Sequence, residues 1–574
     1  MSLHRDPEYP AAEHKSPAPS SGATRHSNPS SSTLATLDEP THAFPPSHAP
    51  GSPDLSYPFA TTNLPPGVTD EYREVAESGL VHPGAELMRA ATRVPTRDPE
   101  MAKHMKDINL VVFKPNDPGD PRTWNTAYRW YLTGLVAMAV VCVAFGSAVI
   151  TGDFKDIEEE FGVSEVVTAL SVSLMVVGFG LGPLAWGPLS EMYGRRYLWI
   201  SSFWIYTIFN IQCALAKNIG TLLSGRFLAG LFASSALVIA GGTISDLWDN
   251  NERGFAIALF AAAPYGGPVL GPIVGGFVGE TIGWRWILWV NMIFAGVISA
   301  FLTFIPETYA PVILKRRARK LREETGSDNY VTEQELFPRP FADLLIETLI
   351  RPFFMLVTEP VLLLMSLYIA IIYGLLYAFF FSFPVVFGEG YGWNDGLVGL
   401  SFCPILIGVA LALFVTPWLE KKYLEQARKK GGKADPEDRL LGMMLSAPWI
   451  PISLFIFAWT SPPIVQPGGG HWVGPVSAGI PFGFGMVVVY FSANAYLIDT
   501  FHSCVASALS AKTVVRSGAG AAMPLFMVAM FHNLGNEWAA TLLAFLALAI
   551  VPIPYFFYFY GKQIRSRSKL ASAA

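Results

Sequence analysis

The sequence predicts an all-α integral membrane protein whose twelve transmembrane helices form two six-helix halves. Of its 574 residues, 51% are hydrophobic and only 15% are charged, which is too apolar for a soluble protein of this length. The apolar residues occur in twelve runs of about twenty residues, the length that crosses the hydrocarbon of a bilayer. The longest polar connection, 306–357, falls after the sixth run and separates six spans from six.

The N-terminal segment, 1–115, is predicted to be a disordered cytoplasmic tail. It is rich in Ser, Pro, His and Ala and poor in aliphatic residues, so it cannot bury enough apolar surface to fold. It is followed by Asp117-Pro-Gly-Asp-Pro-Arg-Thr-Trp124. The prolines and Trp124 of this stretch suit an ordered segment at the membrane surface just before span 1.

The spans group into an N-terminal bundle over 116–305 and a C-terminal bundle over 358–562, with a second cytoplasmic tail at 563–574. Between the bundles, the 306–357 linker contains apolar residues at helical spacing, which predicts a helix lying on the membrane surface. These residues are Phe341, Leu344, Leu345, Leu349 and Phe353. The predicted spans are 128–150, 165–187, 197–216, 220–246, 252–280, 284–305, 358–385, 396–418, 440–460, 475–498, 504–531 and 538–560.

The positions of Lys and Arg predict the orientation in the membrane. These residues crowd the connections after spans 2, 6 and 8 and the C-terminal end, whereas the opposite loops hold chiefly Lys155, Lys217 and Arg285. By the positive-inside rule, both termini are expected in the cytoplasm. We expect the plasma membrane, with the vacuolar membrane as the alternative.

A short polar turn between spans 2 and 3 is the most informative stretch, Gly187-Pro-Leu-Ser-Glu-Met-Tyr-Gly-Arg-Arg196. Gly187 and Gly194 would let two helix ends approach closely and turn sharply. Arg195 and Arg196 would anchor the turn on the cytoplasmic side. Glu191 is the acid of the turn and could pair with a basic residue or a helix N-terminus. The pattern also fits a tight positive-inside turn with no further role.

Span 5 carries a glycine and proline pattern, Gly267-Pro268-Val-Leu-Gly271-Pro272-Ile-Val-Gly275-Gly276. Glycines at every fourth residue make a smooth helix face that permits close packing. The two prolines remove backbone hydrogen bonds and bend the helix. The residues alone therefore predict a packing face with a kink.

Three cations lie inside predicted spans, where a charge is costly and rarely faces lipid. Arg226 of span 4 is expected to point into the bundle, the alternative being a side chain that snorkels to the interface. Lys512 and Arg516 are four residues apart, so they share one face of span 11. Lys512 is expected to meet cargo or to titrate, and Arg516 to pair with Asp499 or with the span 2–3 turn.

Span 7 is strongly aromatic, and its Tyr373 and Tyr377 share a helical face. Most aromatic residues in spans pack against lipid or other helices. A wall of aromatic rings with a few hydroxyls also suits flat, apolar cargo.

Charged and tyrosine residues at the cytoplasmic ends of the spans predict a gate. Asp246 and Arg253 lie at the ends of spans 4 and 5, and Tyr496 and Asp499 lie at the matching end of span 10. They are expected to pair across the cytoplasmic mouth, although ordinary interfacial charge is the alternative. Spans 1, 2, 7 and 8 have no acid near their middles. The acids available to carry a proton, which include Asp153 and Glu280, therefore lie near a membrane face.

The two halves echo each other. Span 4 ends in Gly-Gly-Thr-Ile-Ser-Asp246 and span 10 in Asn-Ala-Tyr-Leu-Ile-Asp499. Gly271-Pro272 of span 5 likewise corresponds to Met523-Pro524 of span 11, and Thr416-Pro-Trp-Leu-Glu420 is a faint counterpart of the span 2–3 turn. Paired features at one offset of about 253 residues predict structurally related halves.

Several of these motifs resemble one family. The order G-x-L-x-[DE]-x-x-G-R-R resembles the span 2–3 loop of the major facilitator superfamily, with Glu191 where that family usually has Asp. The G-P-x-x-G-G order in span 5 resembles the pattern that marks its antiporters. The lead-in D-P-x-x-P-x-x-W, Tyr-Gly-Leu-Leu-Tyr-x-Phe in span 7 and Pro306-Glu-Thr-Tyr-Ala-Pro are similar to fungal twelve-span drug:proton antiporters. The resemblance covers about 115–562.

The resemblance implies the major facilitator fold and a function. The span 2–3 turn would be a conformational latch, the span 5 kink a pivot, and Arg226 a cavity residue linked to proton transfer. The protein would export small, mostly apolar aromatic compounds, such as toxins or antifungal drugs, in exchange for protons by alternating access. A polyamine:proton antiporter is the first alternative. Binding a polycation would require carboxylates in the cavity, however, and these spans offer cations and aromatic residues instead. A non-transporting receptor on the same fold is the second.

Other function classes find no support in the sequence. No phosphate-binding Gly-Lys-Ser loop is present, which argues against an ATP-driven pump. The histidines are scattered, and the four cysteines read as packing residues. We therefore expect no enzyme activity, no metal and no cofactor. The expected partners are small-molecule cargo, protons and the lipid bilayer, with no nucleic acid, and the expected state is a monomer.

Overall fold

The computed structural model describes residues 109–114, 116–249, 254–336, 346–429, 435–462, 470–566, 568 and 570–571. All twelve predicted spans coincide with helices in these ranges. In the N-terminal half they are Thr126–Ala148 (span 1), Glu165–Leu181 continued by Pro183–Tyr193 (span 2), Arg195–Ala214 (span 3), Ile219–Leu247 (span 4), Gly254–Ile282 (span 5) and Trp284–Thr303 (span 6).

The helices of the C-terminal half are more often interrupted. They are Pro360–Phe383 (span 7), Asp395–Leu400 and Cys403–Lys429 (span 8), Leu440–Ser446 and Trp449–Thr460 (span 9), Val473–Ser477 and Gly479–Thr500 (span 10), Val505–Ala522 and Met527–Leu534 (span 11), and Asn536–Ile550 and Pro552–Arg565 (span 12). Span 11 bends by 50° at its break. Pro524 lies there, in the 3₁₀ turn Met523–Leu525, and cannot continue the helical hydrogen bonds.

Nine helices of the described chain are long and apolar enough to cross a membrane, or eleven if each of two bent pairs is one span. Span 3 is not among them, since it begins with Arg195 and Arg196 and ends near Asn210 and Gln212. The helix Phe154–Phe161 lies at 117° to span 2, so it runs outside that span. The predicted all-α architecture is confirmed.

Tight turns join several consecutive spans. Gly194, between spans 2 and 3, has φ of 90°, which an L-residue with a side chain rarely adopts. Gly283 and Gly535 have nearly the same conformation between spans 5 and 6 and between spans 11 and 12. These last two glycines occupy corresponding positions of the two halves, as the sequence echo predicts.

A small module forms where the chain enters span 1. The strand β1 (Asn109–Leu110) pairs in parallel with β2 (Tyr330–Val331) of the linker. Both oxygens of Asp117 accept hydrogen bonds from Arg317. Residues 109–114, which the prediction placed in the disordered tail, are therefore structured, because the linker supplies their partner strand; residues 1–108 lie outside the described ranges.

The linker contains one long helix that the apolar spacing did not predict. The structure has the charged helix Ala310–Thr325, the helical turn Glu333–Leu336 and the helix Arg351–Thr358. Part of the predicted surface helix lies outside the described ranges, which omit Phe341, Leu344 and Leu345. The described residues 346–349 and 351–358 are helical, and their Leu349 and Phe353 are exposed. Charge pairs such as Arg322–Glu335, which an apolar pattern does not reveal, stabilise the linker helix.

We predict that Asp117→Asn loosens this module. The Arg317 guanidinium holds the pKa of the Asp117 carboxyl far below its usual range. This stabilisation is therefore fully present above the ordinary aspartate pKa of about 4 and is lost as the pH falls below it. Losing the charged hydrogen bonds should cost about 2 kcal/mol. At neutral pH, hydrogen exchange of 109–124 and 310–331 should accelerate, whereas the exposed control Asp328→Asn should leave exchange unchanged. Unchanged exchange in Asp117→Asn would contradict the prediction.

Candidate functional site

The span 2–3 turn is held by Arg195. Its Nε lies 3.3 Å from Asp246 Oδ2 at the end of span 4, and its Nη1 donates to Ser190 Oγ. The guanidinium also lies 4.7 Å from the ring centroid of Tyr309, beyond span 6. Arg195 thus connects the turn to span 4 and to the linker within one half of the protein.

Glu307 completes this arrangement, and the sequence reasoning missed it. Its carboxylate accepts from the backbone nitrogen of Arg195 at 2.9 Å and of Arg196 at 3.3 Å. A carboxylate at a helix N-terminus accepts hydrogen bonds from the free N–H groups there, and the helix dipole stabilises its negative charge. The sequence does show an acid just after span 6, in Pro306-Glu-Thr-Tyr. Glu191 was expected instead to pair with the basic residues or the helix N-terminus at this turn.

The two glycines of the turn behave differently. A Cβ at Gly194 would lie 2.4 Å from Glu307 Oε2, so this glycine permits both the turn and the approach of the carboxylate. A Cβ at Gly187 would meet no atom within 4 Å, because Gly187 lies inside the helix Pro183–Tyr193. The expected close approach at Gly187 is therefore wrong in this structure. Glu191 is half-buried on the same helix.

The C-terminal half repeats the arrangement with Arg439 at the start of span 9. Arg439 Nε lies 2.9 Å from Asp499 Oδ2, and its Nη1 pairs with Glu420. Tyr423 donates its hydroxyl to the same Asp499 oxygen at 3.1 Å. Asp499 thus ends span 10 as Asp246 ends span 4, each bound to an arginine of its own half.

The predicted pairing across the cytoplasmic mouth is consequently wrong for Asp246 and Asp499, because a nearer arginine already neutralises each of them. Tyr496 is buried and packs against Phe557 of span 12, with the ring centroids 6.3 Å apart. Arg253 lies outside the described residues. Arg439 escaped the sequence reasoning because a cation at the start of a span reads as ordinary positive-inside charge.

The glycines of span 5 form one packing face, as their spacing predicts, and this face packs against span 1. A Cβ at Gly267 would lie 2.6 Å from Ala144 Cβ, at Gly271 2.7 Å from Val149 N, and at Gly275 2.2 Å from Val149 O. Pro268 and Pro272 lie within the same uninterrupted helix.

Gly276 points the other way. Its Cβ would lie 2.3 Å from the carbonyl oxygen of Asp395, at the start of span 8. The span 5 pattern therefore permits two backbone contacts, one within the N-terminal half and one with the C-terminal half.

Arg226 is fully buried and binds backbone carbonyls of two neighbouring spans. Its Nε donates to Ser171 O at 2.9 Å, its Nη1 to Gly146 O at 2.8 Å, and its Nη2 to Ser147 O at 2.9 Å. It therefore neither snorkels nor faces an open cavity in this conformation. The expected cavity-facing side chain is not observed, because all three guanidinium nitrogens donate to backbone carbonyls. These hydrogen bonds join span 4 to spans 1 and 2.

A buried set of cations and tyrosines lies between the two halves; we call Tyr265, Tyr373, Tyr490, Lys512 and Arg516 the cation–tyrosine cluster. Arg516 Nη1 donates to Tyr490 OH at 3.3 Å, and the guanidinium lies 4.6 Å from the ring centroid of Tyr373. Lys512 Nζ lies 4.9 Å from the ring centroid of Tyr490. Tyr265 of span 5 packs its ring 4.8 Å from that of Tyr490, so both halves contribute.

Polar contacts extend the cluster. Lys512 donates to Asn494 Oδ1 of span 10. Tyr377 lies 2.7 Å, oxygen to oxygen, from Ser147 of span 1, the residue whose carbonyl binds Arg226. Tyr377 also lies 3.4 Å from the Tyr373 hydroxyl. The predicted tyrosine face of span 7 is thus turned into the bundle at the contact between halves.

Within the described residues, the cations of the cluster have no acidic partner. Among the residues that the structure describes, no carboxylate oxygen lies within 4.0 Å of Lys512 or Arg516. The predicted pairing of Arg516 with Asp499 is wrong, because Asp499 binds Arg439. In the same described ranges, the buried Nε of Arg516 and Oγ of Ser517 have no hydrogen-bond partner.

Three members of this site were missed. Tyr490 and Asn494 are four residues apart in the apolar span 10, and Tyr265 precedes the glycine pattern of span 5. Polar residues at helical spacing inside an apolar span were the available signal for the first two. Within the described residues, no group of three or more His, Cys, Asp or Glu side chains could hold a metal ion.

Comparison with known families and proteins gives consistent matches. The family model described as Major Facilitator Superfamily matches residues 136–524. An uncharacterized MFS-type transporter of Schizosaccharomyces pombe is 48% identical over 91% of this chain and 90% of its own length. A multidrug transporter of Candida glabrata is 48% identical over 82% and 73%, and polyamine transporter 3 of Saccharomyces cerevisiae is 44% identical over 83% and 75%.

A solved structure supports the fold. The proton:xylose symporter XylE, bound to 6-bromo-6-deoxy-D-glucose, superposes with a TM-score of 0.53. The match covers 76% of this chain and 96% of that chain at 15% identity, so it indicates a shared architecture only.

We predict that Arg439→Gln destabilises the C-terminal half. The change leaves Asp499 and Glu420 near each other without their shared cation, which should cost about 2 kcal/mol for this partly buried pair. The purified variant should melt at a lower temperature than the parent. Arg428→Gln removes an exposed cation of span 8 and should leave the melting temperature unchanged. Equal melting of Arg439→Gln and the parent would show that the pair contributes little.

We predict that Gly275→Ala is far more disruptive than Gly266→Ala. The first Cβ would collide with the backbone oxygen of Val149, which cannot move without shifting span 1. The second would lie 3.6 Å from Val409 Cγ1, an ordinary contact. Thermal unfolding should therefore show a loss of about 1–3 kcal/mol for Gly275→Ala and almost none for Gly266→Ala. Similar losses for both would argue against tight packing of spans 1 and 5.

Proposed function

Because the chain belongs to the major facilitator superfamily, we propose that it exports small, mostly apolar aromatic compounds in exchange for protons by alternating access. The superfamily consists of secondary transporters and not enzymes. The single observation that carries the choice of cargo is the cation–tyrosine cluster, with two buried cations and no carboxylate within 4.0 Å in the described ranges.

The chemistry of the cluster suits aromatic molecules that are neutral or acidic. Tyr265, Tyr373 and Tyr490 present ring faces and edges on which a flat compound can stack. Arg516 Nε is a buried donor to which an acidic or carbonyl oxygen of such a compound could bind. A buried cation that is held by rings instead of a carboxylate leaves its charge available to an anionic group.

Polyamine export is the second candidate, favoured by the 44% identity with polyamine transporter 3 of Saccharomyces cerevisiae. A polyamine would bring further positive charges beside Lys512 and Arg516, and like charges in a low dielectric repel strongly. Carriage of polyamines would therefore need carboxylates that approach the cluster in another conformation. A receptor on the same fold is a third reading, in which the latch would persist without transport.

The roles of the remaining motif residues form part of the proposal. The span 2–3 turn, Gly187–Arg196, would act as the latch, with Arg195, Asp246 and Glu307 holding it within the N-terminal half. Span 5, with the bend that its prolines are expected to produce, would be the pivot, since it contacts span 1 and span 8 through backbone atoms. We propose that the protein acts as a monomer in the plasma membrane. The charge distribution of its loops supports a cytoplasmic location for both termini.

The test is proton movement in proteoliposomes that hold the purified protein under an imposed pH gradient. An azole, a neutral flat aromatic, an aromatic carboxylic acid and spermidine are added in separate experiments. We expect the aromatic compounds to collapse the gradient. Arg516→Gln should slow this about tenfold, because it removes the charged donor while keeping most of the volume.

The control is Arg285→Gln, which removes an exposed cation that pairs with Glu160 outside the cluster. It should transport like the parent. A response to spermidine alone would establish the polyamine alternative, and no response to any compound would overturn proton-coupled export. Equal transport by Arg516→Gln and the parent would remove the cluster from cargo recognition.

A further inference from the structure

Carboxyl groups gather where spans 1, 5 and 8 meet, at the end of the bundle opposite the span 2–3 turn. Glu280, at the end of span 5, accepts from Asn394 Nδ2 at 2.8 Å and from the backbone nitrogen of Gly396 at 3.1 Å. Asn394 and Gly396 begin span 8, so these bonds join the two halves. We call this contact, with the neighbouring Asp153 and Asp395, the distal junction.

The distal junction is closed in this structure. A Cβ at Gly276 would lie 2.3 Å from Asp395 O, and one at Gly399 would lie 2.4 Å from Pro272 O. Backbones this close leave no layer of water between spans 5 and 8. The acids at the junction therefore share this environment only while the two halves touch at this end.

Asp153 is the buried acid of the junction, with 6% of its surface exposed. Its Oδ1 accepts from the backbone nitrogen of Asp156 at 3.3 Å and caps the helix Phe154–Phe161. Its Oδ2 is buried and has no hydrogen-bond partner among the described residues. Span 5 approaches it closely, since a Cβ at Gly279 would lie 2.6 Å from Asp153 Cβ. An ionised oxygen without a donor is costly in such a place, whereas a neutral carboxyl group is tolerated.

The charges around Asp153 are mostly negative. Asp156 follows on the capped helix, Glu280 comes from span 5, and Asp395 comes from span 8. Burial raises the pKa of the Asp153 carboxyl well above its ordinary value, and Asp156 and Asp395 raise it further. Lys155, the cation of the capped helix, is exposed and acts on Asp395 instead. The helix cap at Oδ1 favours the charged form, but burial of the unpartnered Oδ2 and the neighbouring carboxylates outweigh it, so the closed junction favours the protonated form of Asp153.

We propose that Asp153 is a proton-binding site of the distal junction, which binds a proton when the junction closes and releases it when the junction opens. The proton comes from the aqueous phase on that side and bonds to Oδ2, and no other bond is made or broken. This inference rests on the proposed proton-coupled transport and names a residue that links a proton to a conformational step.

The direction of the pH dependence follows from the linkage between binding and closure. Closing raises the pKa of Asp153, so the closed junction holds more protons than the open one. Low pH on that side therefore favours the closed junction, and closure weakens as the pH rises through the raised pKa. Protonation also removes one of the like charges that spans 5 and 8 would otherwise bring together.

The experiment measures the width of the junction by electron paramagnetic resonance. Spin labels are placed at the exposed positions Thr281 of span 5 and Leu397 of span 8 in the full chain, with the partly exposed Cys403 replaced by serine. In lipid nanodiscs without cargo, we expect one short distance at about pH 5.5 and a growing population of a longer distance towards about pH 8.5. Asp153→Asn should keep the short distance over the whole range.

Asp153→Asn suits this test because asparagine caps a helix as well as aspartate and resembles the neutral acid in shape. Asp156→Asn is the matched control, since it removes an exposed carboxylate from the same helix. It should retain the transition, moved by less than about one pH unit. Three outcomes would each overturn the proposal. The distance in the parent could be independent of pH, the transition could persist in Asp153→Asn, or it could be lost only in Asp395→Asn.

The distances require neither cargo nor transport, so the two proposals fail separately. A pH-dependent junction that disappears in Asp153→Asn would support the inference even if no tested compound moved protons in vesicles. Cargo-driven proton movement that is as strong in Asp153→Asn as in the parent would leave the export proposal intact and would overturn the role of Asp153.

Discussion

A charge buried inside a membrane protein must find its partners within the protein, and the structure depends on how each charge meets that constraint. Arg226 does so with three backbone carbonyls, and Arg439 does so with two carboxylates and the ring of Tyr423. Lys512 and Arg516 do so chiefly with tyrosine rings and neutral oxygens. The first two solutions complete a structural unit, whereas the third leaves a positive potential that a ligand can use.

The strong charge pairs stay within a half, and the contacts between halves are of a weaker kind. Arg195 with Asp246 holds one half, and Arg439 with Asp499 holds the other. Between the halves lie ring contacts, the hydroxyl pair of Ser147 and Tyr377, close backbone approaches at glycines, and the hydrogen bonds of the exposed Glu280 to span 8. Such contacts can separate without leaving an unpaired charge in the bilayer. This division is what rigid-body rocking of two halves requires.

The sequence could predict the spans, because hydrophobic length is local information that the bilayer imposes on every helix. It also predicted that Gly267 and Gly275 line one packing face of span 5, since spacing on one helix decides which residues align. It could not predict the partners of Asp246 and Asp499, because that choice depends on which arginine lies nearest after packing. Glu307 and Tyr490 were missed for the same reason: each acquires its role from a residue that is distant in the chain.

On our proposal, the residues that determine which cargo binds differ from the residues that identify the family. The glycine and arginine residues of the span 2–3 turn and the glycines of span 5 contact other backbone atoms or charges of the protein itself, so they would serve any cargo equally. Relatives named for polyamines and for multidrug transport can therefore share these motifs. We propose that discrimination comes from side chains that meet the cargo, and that Lys512 and Arg516 in their tyrosine surroundings attract acidic groups and repel cations. The physical argument for aromatic cargo consequently rests on this cluster and is independent of the motifs by which the family is identified.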